Sequence, residues 1–211
     1  MNSSSVPAMD NTSWVKKYDT ENYVYTKDVN QFVVEFCEPL TPGTAIDVAG
    51  GEGRNAVWLA EQGWKVEVID FAPNALAKAA ELAVERGVSD RVITTEASAL
   101  DFTAQLAPVD LAVVAYLHIY SHQFAQAMAQ TVAALKPGGH LFGVWHALEN
   151  LQHNSHGPQN PDALPSVESL TKLCADLGLQ VLTLENRDGL VRTDEGKKPS
   201  VTVVLFAVKP L

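Results

Sequence analysis

The stretch "AIDVAGGEGRNAVWLA", Ala45 to Ala60, runs from an apolar segment into three glycines within four residues and then into a helical pattern, with one acid, Asp47, ahead of the glycines. A glycine turn between a buried strand and a helix is where an open parallel sheet forms its binding crevice. Glycine permits the sharp turn and keeps a Cβ out of a ligand's path. The first N–H groups of the following helix then favour an anionic group.

Outward from this loop, short β-branched runs alternate with Ala-rich helical stretches. Strands are expected over 44–49, 65–69, 92–95, 111–115, 140–145, 180–185 and 200–208, and helices over 54–62, 73–86, 121–135 and 166–177. Pro73 suits a first helical turn, Gly87 a helix stop, Ser121 an N-cap, and Ser166 a start supported by Glu168 and Ser169. Lys136-Pro137-Gly138-Gly139 reads as a turn that ends the third of these helices. The last two strands are joined by the polar "NRDGLVRTDEGKKP", which predicts a hairpin loop, and 148–165 read as a long irregular connection.

The fold class is therefore α/β: a Rossmann-like, seven-stranded, mainly parallel sheet with helices on both faces and a C-terminal antiparallel β-hairpin. Residues 1–40 are expected to form an N-terminal helical or lid segment, and 41–211 the ligand-binding domain.

Size and charge narrow the partners. A chain of 211 residues with 46% hydrophobic and 19% charged residues is long enough for a real core. No apolar run reaches the roughly 18 residues of a membrane span, so no membrane partner is expected. The polar opening, MNSSSVPAMDN, does not read as a secretory signal and is expected to fray. Cys37 and Cys174 are far apart with no CxxC spacing, which predicts free thiols and a cytoplasmic location. Formal net charge is −10, and the tight basic pairs, Lys16-Lys17 and Lys197-Lys198, are too small to neutralise a phosphate backbone. Nucleic acid is not an expected partner, and the oligomeric state is left open.

By pattern alone the loop admits more than one ligand. Gly51, Gly53 and Ala56 satisfy the dinucleotide fingerprint G-x-G-x-x-G/A. Asp70, closing the second strand, suits the two hydroxyls of a ribose. Asp47 is a poor neighbour for a pyrophosphate and a good one for a ligand bearing an ammonium and a sulfonium. S-adenosylmethionine has both, so it is favoured over NAD, while an NAD-linked oxidoreductase and a non-catalytic S-adenosylmethionine sensor stay open.

"AIDVAGGEGRNAVWLAEQGWKVEVIDFAP", followed by "LDFT", "DLAVVAYLHI" and "ALKPGGHLFGVWHA", resembles the class I S-adenosylmethionine-dependent methyltransferases, from about Ala45 to the chain end. "WVKKYDTENYVYTKDVNQFVVEF" and "NSHGPQNPDALPS" resemble the small tellurite-resistance or thiopurine methyltransferase-like branch. The family's first motif reads D-x-G-x-G-x-G; here Ala49 takes the first glycine place, with Gly50 beside it, while Gly51 and Gly53 keep the others. The resemblance implies methyl transfer to a small-molecule S, O, N or chalcogen nucleophile. It also implies that Asp47, Ala49, Gly51 and Gly53 surround the methionine part, with Arg54 a candidate partner for its carboxylate. Asp70 and Phe71 would hold the ribose and flank the adenine. Ser98 stands where the family often has an acid, so its hydroxyl or the backbone of Ala97 and Ala99 would serve the adenine. Ala115, Tyr116 and Leu117 would lie under the sulfonium.

Further candidates rest on position. His118 follows the fourth strand, where a base or an orienting group would stand. His146, His153 and His156 flank the irregular connection. Tyr18, Tyr23 and Tyr25 suit a segment that closes over the cofactor. Catalytic candidates are thus His118, Tyr25 and His146. His118 and His122 have i, i+4 spacing but no carboxylate partner, so no metal site is expected. Trp58, Leu59, Leu76 and Leu135 are expected in the core.

Overall fold

The computed structural model describes residues 11–153, 157–193 and 196–211. Seven strands form one sheet in the order β3-β2-β1-β4-β5-β7-β6. They are β1 (Thr44–Val48), β2 (Lys65–Asp70), β3 (Val92–Glu96), β4 (Val109–Ala115), β5 (Leu135–His146), β6 (Gln180–Thr193) and β7 (Gly196–Val208). The first five are parallel, whereas β7 runs antiparallel to both β5 and β6. The chain reverses between β1 and β4, which opens the crevice at the carboxyl end of β1, where the glycine loop lies.

The helices are α1 (Asn11–Tyr18), α2 (Gln31–Cys37), α3 (Arg54–Glu61), α4 (Pro73–Glu85), α5 (Ser121–Ala134), α6 (Asn150–His153) and α7 (Val167–Asp176), with a 3-10 turn at Pro161–Ala163. They build two apolar layers because strand side chains alternate between faces. Ile46, Val48, Ala112 and Val114 pack with Phe124, Met128 and Val132 of α5 and Leu170 and Cys174 of α7. Ala45, Val66, Val68, Leu111 and Val113 pack with Val33 and Cys37 of α2, Leu59 and Ala60 of α3, and Leu76 and Leu82 of α4. Leu59, Leu76 and Leu135 are buried as expected, and Trp58 is partly buried against the second layer. Cys37 and Cys174 are free and buried.

Local signals account for several boundaries. Pro73 opens α4, Gly87 follows it at φ 70°, and Ser166 and Ser169 form a reciprocal capping box on α7. Ser121 is not the cap of α5 but its first residue; its N–H donates to Asp162 Oδ2 at 3.3 Å, from the long connection. Three strands, β5, β6 and β7, run well past their expected lengths. The Lys136–Gly139 turn ends α5 but then lies inside β5, with a bulge between Val109 and Leu111 in the pairing to β4. The expected polar loop after 185 is mostly strand, since β6 and β7 pair continuously from Gln180↔Val208 to Thr193↔Gly196. Among the described residues that far part has no further strand beside it, because β5 meets β7 only as far as His146↔Thr202. The stretch Asn186-Arg187-Asp188-Gly189 lacks the period-2 alternation that marks a strand in sequence.

Candidate functional site

The glycine loop is held by conformations that few residues adopt. Gly51 and Gly53 have φ of 54° and 77°, and Ala49 has φ 56°. A Cβ on Gly53 would stand 2.6 Å from the Ala79 Cβ on α4, so α3 approaches α4 only because that position is bare. A Cβ on Gly50 would meet Asp47 Cγ and Val68 Cγ1, each at 2.9 Å. Ala49 adopts the left-handed region with a side chain in place, which costs about 1–2 kcal/mol.

Asp47 and Asp70 stand in contrasting surroundings. Asp47 is fully buried, and neither carboxylate oxygen has a hydrogen-bond partner among the described residues. Burial pushes its carboxyl up to about 7; the Arg54 guanidinium and the Ala56 N–H lie on its side and pull the other way without closing a bond to it. Asp70 is occupied: Oδ2 accepts from the Gly51 N–H and Oδ1 from the Ala72 N–H, both at 2.9 Å. Burial raises its pKa, while those N–H groups lower it. A carboxylate offers about four lone-pair directions, so room remains for a diol. A buried, unpaired acid beneath a bare loop suits a cationic ligand group and repels a pyrophosphate. These residues fit S-adenosylmethionine, whose ammonium would face Asp47 and whose ribose would face Asp70.

The remaining cofactor candidates gather around this pair. The Ala97 N–H donates to the Asp70 carbonyl at 3.0 Å. Ser98 Oγ accepts from the Leu100 N–H within its own turn, and Ala97 and Ala99 pack on the α5 layer. Phe71 packs on Tyr18, Ala72 and Ala75. Arg54 opens α3 and makes no ion pair among the described residues.

A latch that the sequence pattern does not display joins the N-terminal segment to this loop. Glu52, the one non-glycine in Gly50–Gly53, is buried; it accepts from the Val24 N–H at 2.9 and 3.0 Å and from the Tyr25 N–H at 3.1 Å. Lys78 of α4, also buried, reaches Glu52 Oε1 at 3.1 Å, the Asn22 carbonyl at 2.7 Å and Thr20 Oγ1 at 3.2 Å. A lysine on the apolar stripe Ala75-Ala79-Leu82 was the available signal, since such a cation needs a partner. Tyr18 is buried over the loop, its hydroxyl 2.9 Å from where a Gly51 Cβ would stand, and burial with nearby Asp70 raises its pKa. Tyr25 is exposed, and its phenol accepts from Lys17 Nζ at 2.7 Å.

At the carboxyl ends of β4 and β5, Tyr116, His118 and His146 come together. Ring centroids are 5.1 Å apart for Tyr116–His146 and 5.4 Å for His118–His146, the latter stacked within 19°. Tyr116 has φ 59°, a second non-glycine residue in the left-handed region, as active-site residues often are. Its hydroxyl accepts from Asn30 Nδ2 at 3.2 Å, and Asn30 in turn caps α2 and donates its N–H to Asn55. His118 Nδ1 lies 3.0 Å from the Ala163 carbonyl. Burial pushes its imidazole down to about 4, with His146 adding to the effect and the Ala163 bond opposing it. Leu117 packs on the α5 layer and Ala115 on the α4 side. The structure thus unites two catalytic candidates, His118 and His146, and engages Tyr25 elsewhere. The His153 side chain, His156 and the polar opening to Asp10 lie outside the described residues.

Behind the Pro161–Ala163 turn a groove of about 460 Å³ is lined by Ile119, Phe124, Leu148, Leu164, Leu170 and Leu173, among others. It shares Ala163 with His118 but contains no glycine-loop residue. No helix among the described residues is long and apolar enough to cross a membrane.

Comparison with known proteins agrees with this geometry. Residues 45–139 match the model of the family described as "Methyltransferase domain". A tRNA 5-carboxymethoxyuridine methyltransferase of Escherichia coli K12 is 31% identical over 116 residues, 53% of this chain and 41% of the relative. The matched region thus spans about two fifths of that relative's length. Among solved structures, a SAM-dependent methyltransferase from Methanosarcina mazei superposes with a TM-score of 0.67 at 18% identity, over 87% of this chain and 99% of the other. TehB from Haemophilus influenzae does so with a TM-score of 0.71 at 18% identity, over 93% and 66%. At these identities the likeness is one of fold. The glycine loop, Asp47 and Asp70 all lie within residues 45–139, the segment that is similar to the methyltransferase-domain family.

Proposed function

We propose that the protein transfers a methyl group from S-adenosylmethionine to a small molecule. The observation that carries this reading is the unpaired, fully buried Asp47 under a loop cleared of Cβ atoms. When bound, S-adenosylmethionine supplies a methyl group already activated by positive sulfur. The chain's own residues then bind, orient and exclude water. Asp47 would hold the ammonium and Asp70 the ribose, and the Gly51–Gly53 backbone leaves the approach open. Tyr116 and Leu117 follow β4 on the acceptor side. The segment 19–30, latched through Glu52 and Lys78, closes the other side as a lid. Alignment and desolvation of this kind supply much of the rate in a reaction whose leaving group is already activated.

A small acceptor accords with the net charge of −10, since a polyanion gains affinity from clustered cations. A second reading is favoured by the tRNA-modifying relative: an acceptor base within RNA. S-adenosylhomocysteine release should be followed against panels of thiols, phenols, amines and chalcogen oxyanions, and against bulk tRNA. Turnover with a small molecule and none with tRNA is the expected result. Turnover with tRNA alone selects the second reading, and cofactor binding with no turnover on any acceptor points to a sensor.

A further inference from the structure

Among the described residues, the hydrogen bonding of His118 is half complete. A carbonyl oxygen only accepts, so the 3.0 Å contact between His118 Nδ1 and the Ala163 carbonyl places the proton on Nδ1. Nε2 is then a bare acceptor. It is buried and has no hydrogen-bond partner among the described residues.

The neighbouring structure holds that arrangement. Ala163 belongs to the Pro161–Ala163 turn, which Asn160 caps by accepting from the Asp162 N–H, and which Asp162 ties to the start of α5 through the Ser121 N–H. The His118 ring lies stacked on His146, with Tyr116 at 6.3 Å. A buried acceptor without a donor is costly unless a ligand completes it.

Building on the methyl-transfer reading, we propose that His118 Nε2 binds the methyl acceptor, and that the acceptor is a neutral hydroxyl or thiol that still carries its hydrogen. Such a group donates to Nε2 and keeps a lone pair for the methyl carbon. A carboxylate or another oxyanion brings only lone pairs against the lone pair of Nε2 and is rejected on that account. The step balances. The oxygen or sulfur lone pair forms the new bond to carbon, the methyl–sulfur bond breaks with its electron pair left on sulfur, and the nucleophile's proton passes to Nε2 and then to water. The low basicity of the buried ring suits this order of events. It accepts a hydrogen bond beforehand without removing the proton, and takes the proton only as methylation makes the nucleophile strongly acidic.

The test is nitrogen-15 NMR of the labelled full chain saturated with S-adenosylhomocysteine. The probes are phenol and thiophenol, their capped forms anisole and thioanisole, and benzoate. The expected result is an unprotonated Nε2 resonance that moves upfield with phenol or thiophenol and stays put with the capped forms and benzoate. His118→Phe should weaken phenol binding at least tenfold and His118→Gln, which keeps an acceptor, should restore part of it. An Nε2–H tautomer, equal shifts from capped and uncapped probes, or no shift from any of them would overturn the proposal. A separate titration with S-adenosylhomocysteine distinguishes the two levels. Cofactor binding with a silent Nε2 removes the role of His118 alone, whereas failure to bind the cofactor removes the methyl-transfer reading.

Discussion

Two residues carry the tension of the site. Asp47 is an unpaired acid at zero exposure, and a buried charged group without its partners costs about 1–3 kcal/mol or more. Asp47→Asn is therefore expected to raise the unliganded protein's stability at pH 8 by about 1–3 kcal/mol, read from denaturant midpoints, while weakening S-adenosylmethionine binding. Stability traded for function in this way is common at ligand sites. Ala49 is the departure from the family's glycine pattern, and its φ of 56° shows that the backbone still takes the glycine conformation. Ala49→Gly relieves that strain but adds chain entropy to the unfolded state. A net gain of up to about 1 kcal/mol with cofactor affinity retained is expected; a clear loss of stability would mean that the Ala49 methyl packs usefully.

At the scale of elements, the segment 19–30 is held by Glu52 and Lys78, which join it to the glycine loop and α4. Lys78→Met leaves Glu52 buried without its cation, a change that costs about 3–5 kcal/mol when a pair is fully buried. The segment 19–30 should then exchange its amide hydrogens faster than the sheet does. Adding Glu52→Gln should return part of the lost stability, and an unchanged exchange pattern in Lys78→Met would show that the latch does not hold the segment. What sequence revealed here follows from how local each signal is. The β–α alternation, the proline at the start of α4 and the Ser166–Ser169 box are written in neighbouring residues, so they were legible. The role of Glu52 was not, because its partners are backbone N–H groups 27 and 28 positions away. The long β6–β7 ribbon was hidden for a different reason. Asp188-Gly189 reads as a turn, yet in the structure it pairs with Val201 and Ser200 beyond the reach of β5. The meeting of His118, His146 and Tyr116 was only half visible, since adjacent strand ends place them together but the anchor, Ala163, comes from an irregular connection.

For the whole molecule, two of the strongly shifted groups, Asp47 and His118, act on stability in opposite directions. Asp47 has a folded pKa of about 7, above its ordinary 3.8; the native state holds the extra proton, so this contribution is present at low pH and lost as pH rises through 7. His118 has a folded value of about 4, below its ordinary 6.5; its contribution is present above 6.5 and lost as pH falls toward 4. Between about 4 and 6.5 the two offset each other in the unliganded wild type. Asp47→Asn removes one of them, so its melting temperature should climb more steeply with pH over that interval than the wild type's does. Equal slopes in thermal melts would show that Asp47 titrates normally.

The proposed site rests on Asp47, a buried acid with no hydrogen-bond partner among the described residues, as the partner of a positive ligand group. Calorimetric titration of S-adenosylmethionine into wild-type protein and Asp47→Asn at pH 8 measures that directly. Saturable binding to the wild type is expected, with a loss of about tenfold or more in the variant, or about 1.4 kcal/mol. Equal affinity in the two proteins would contradict it.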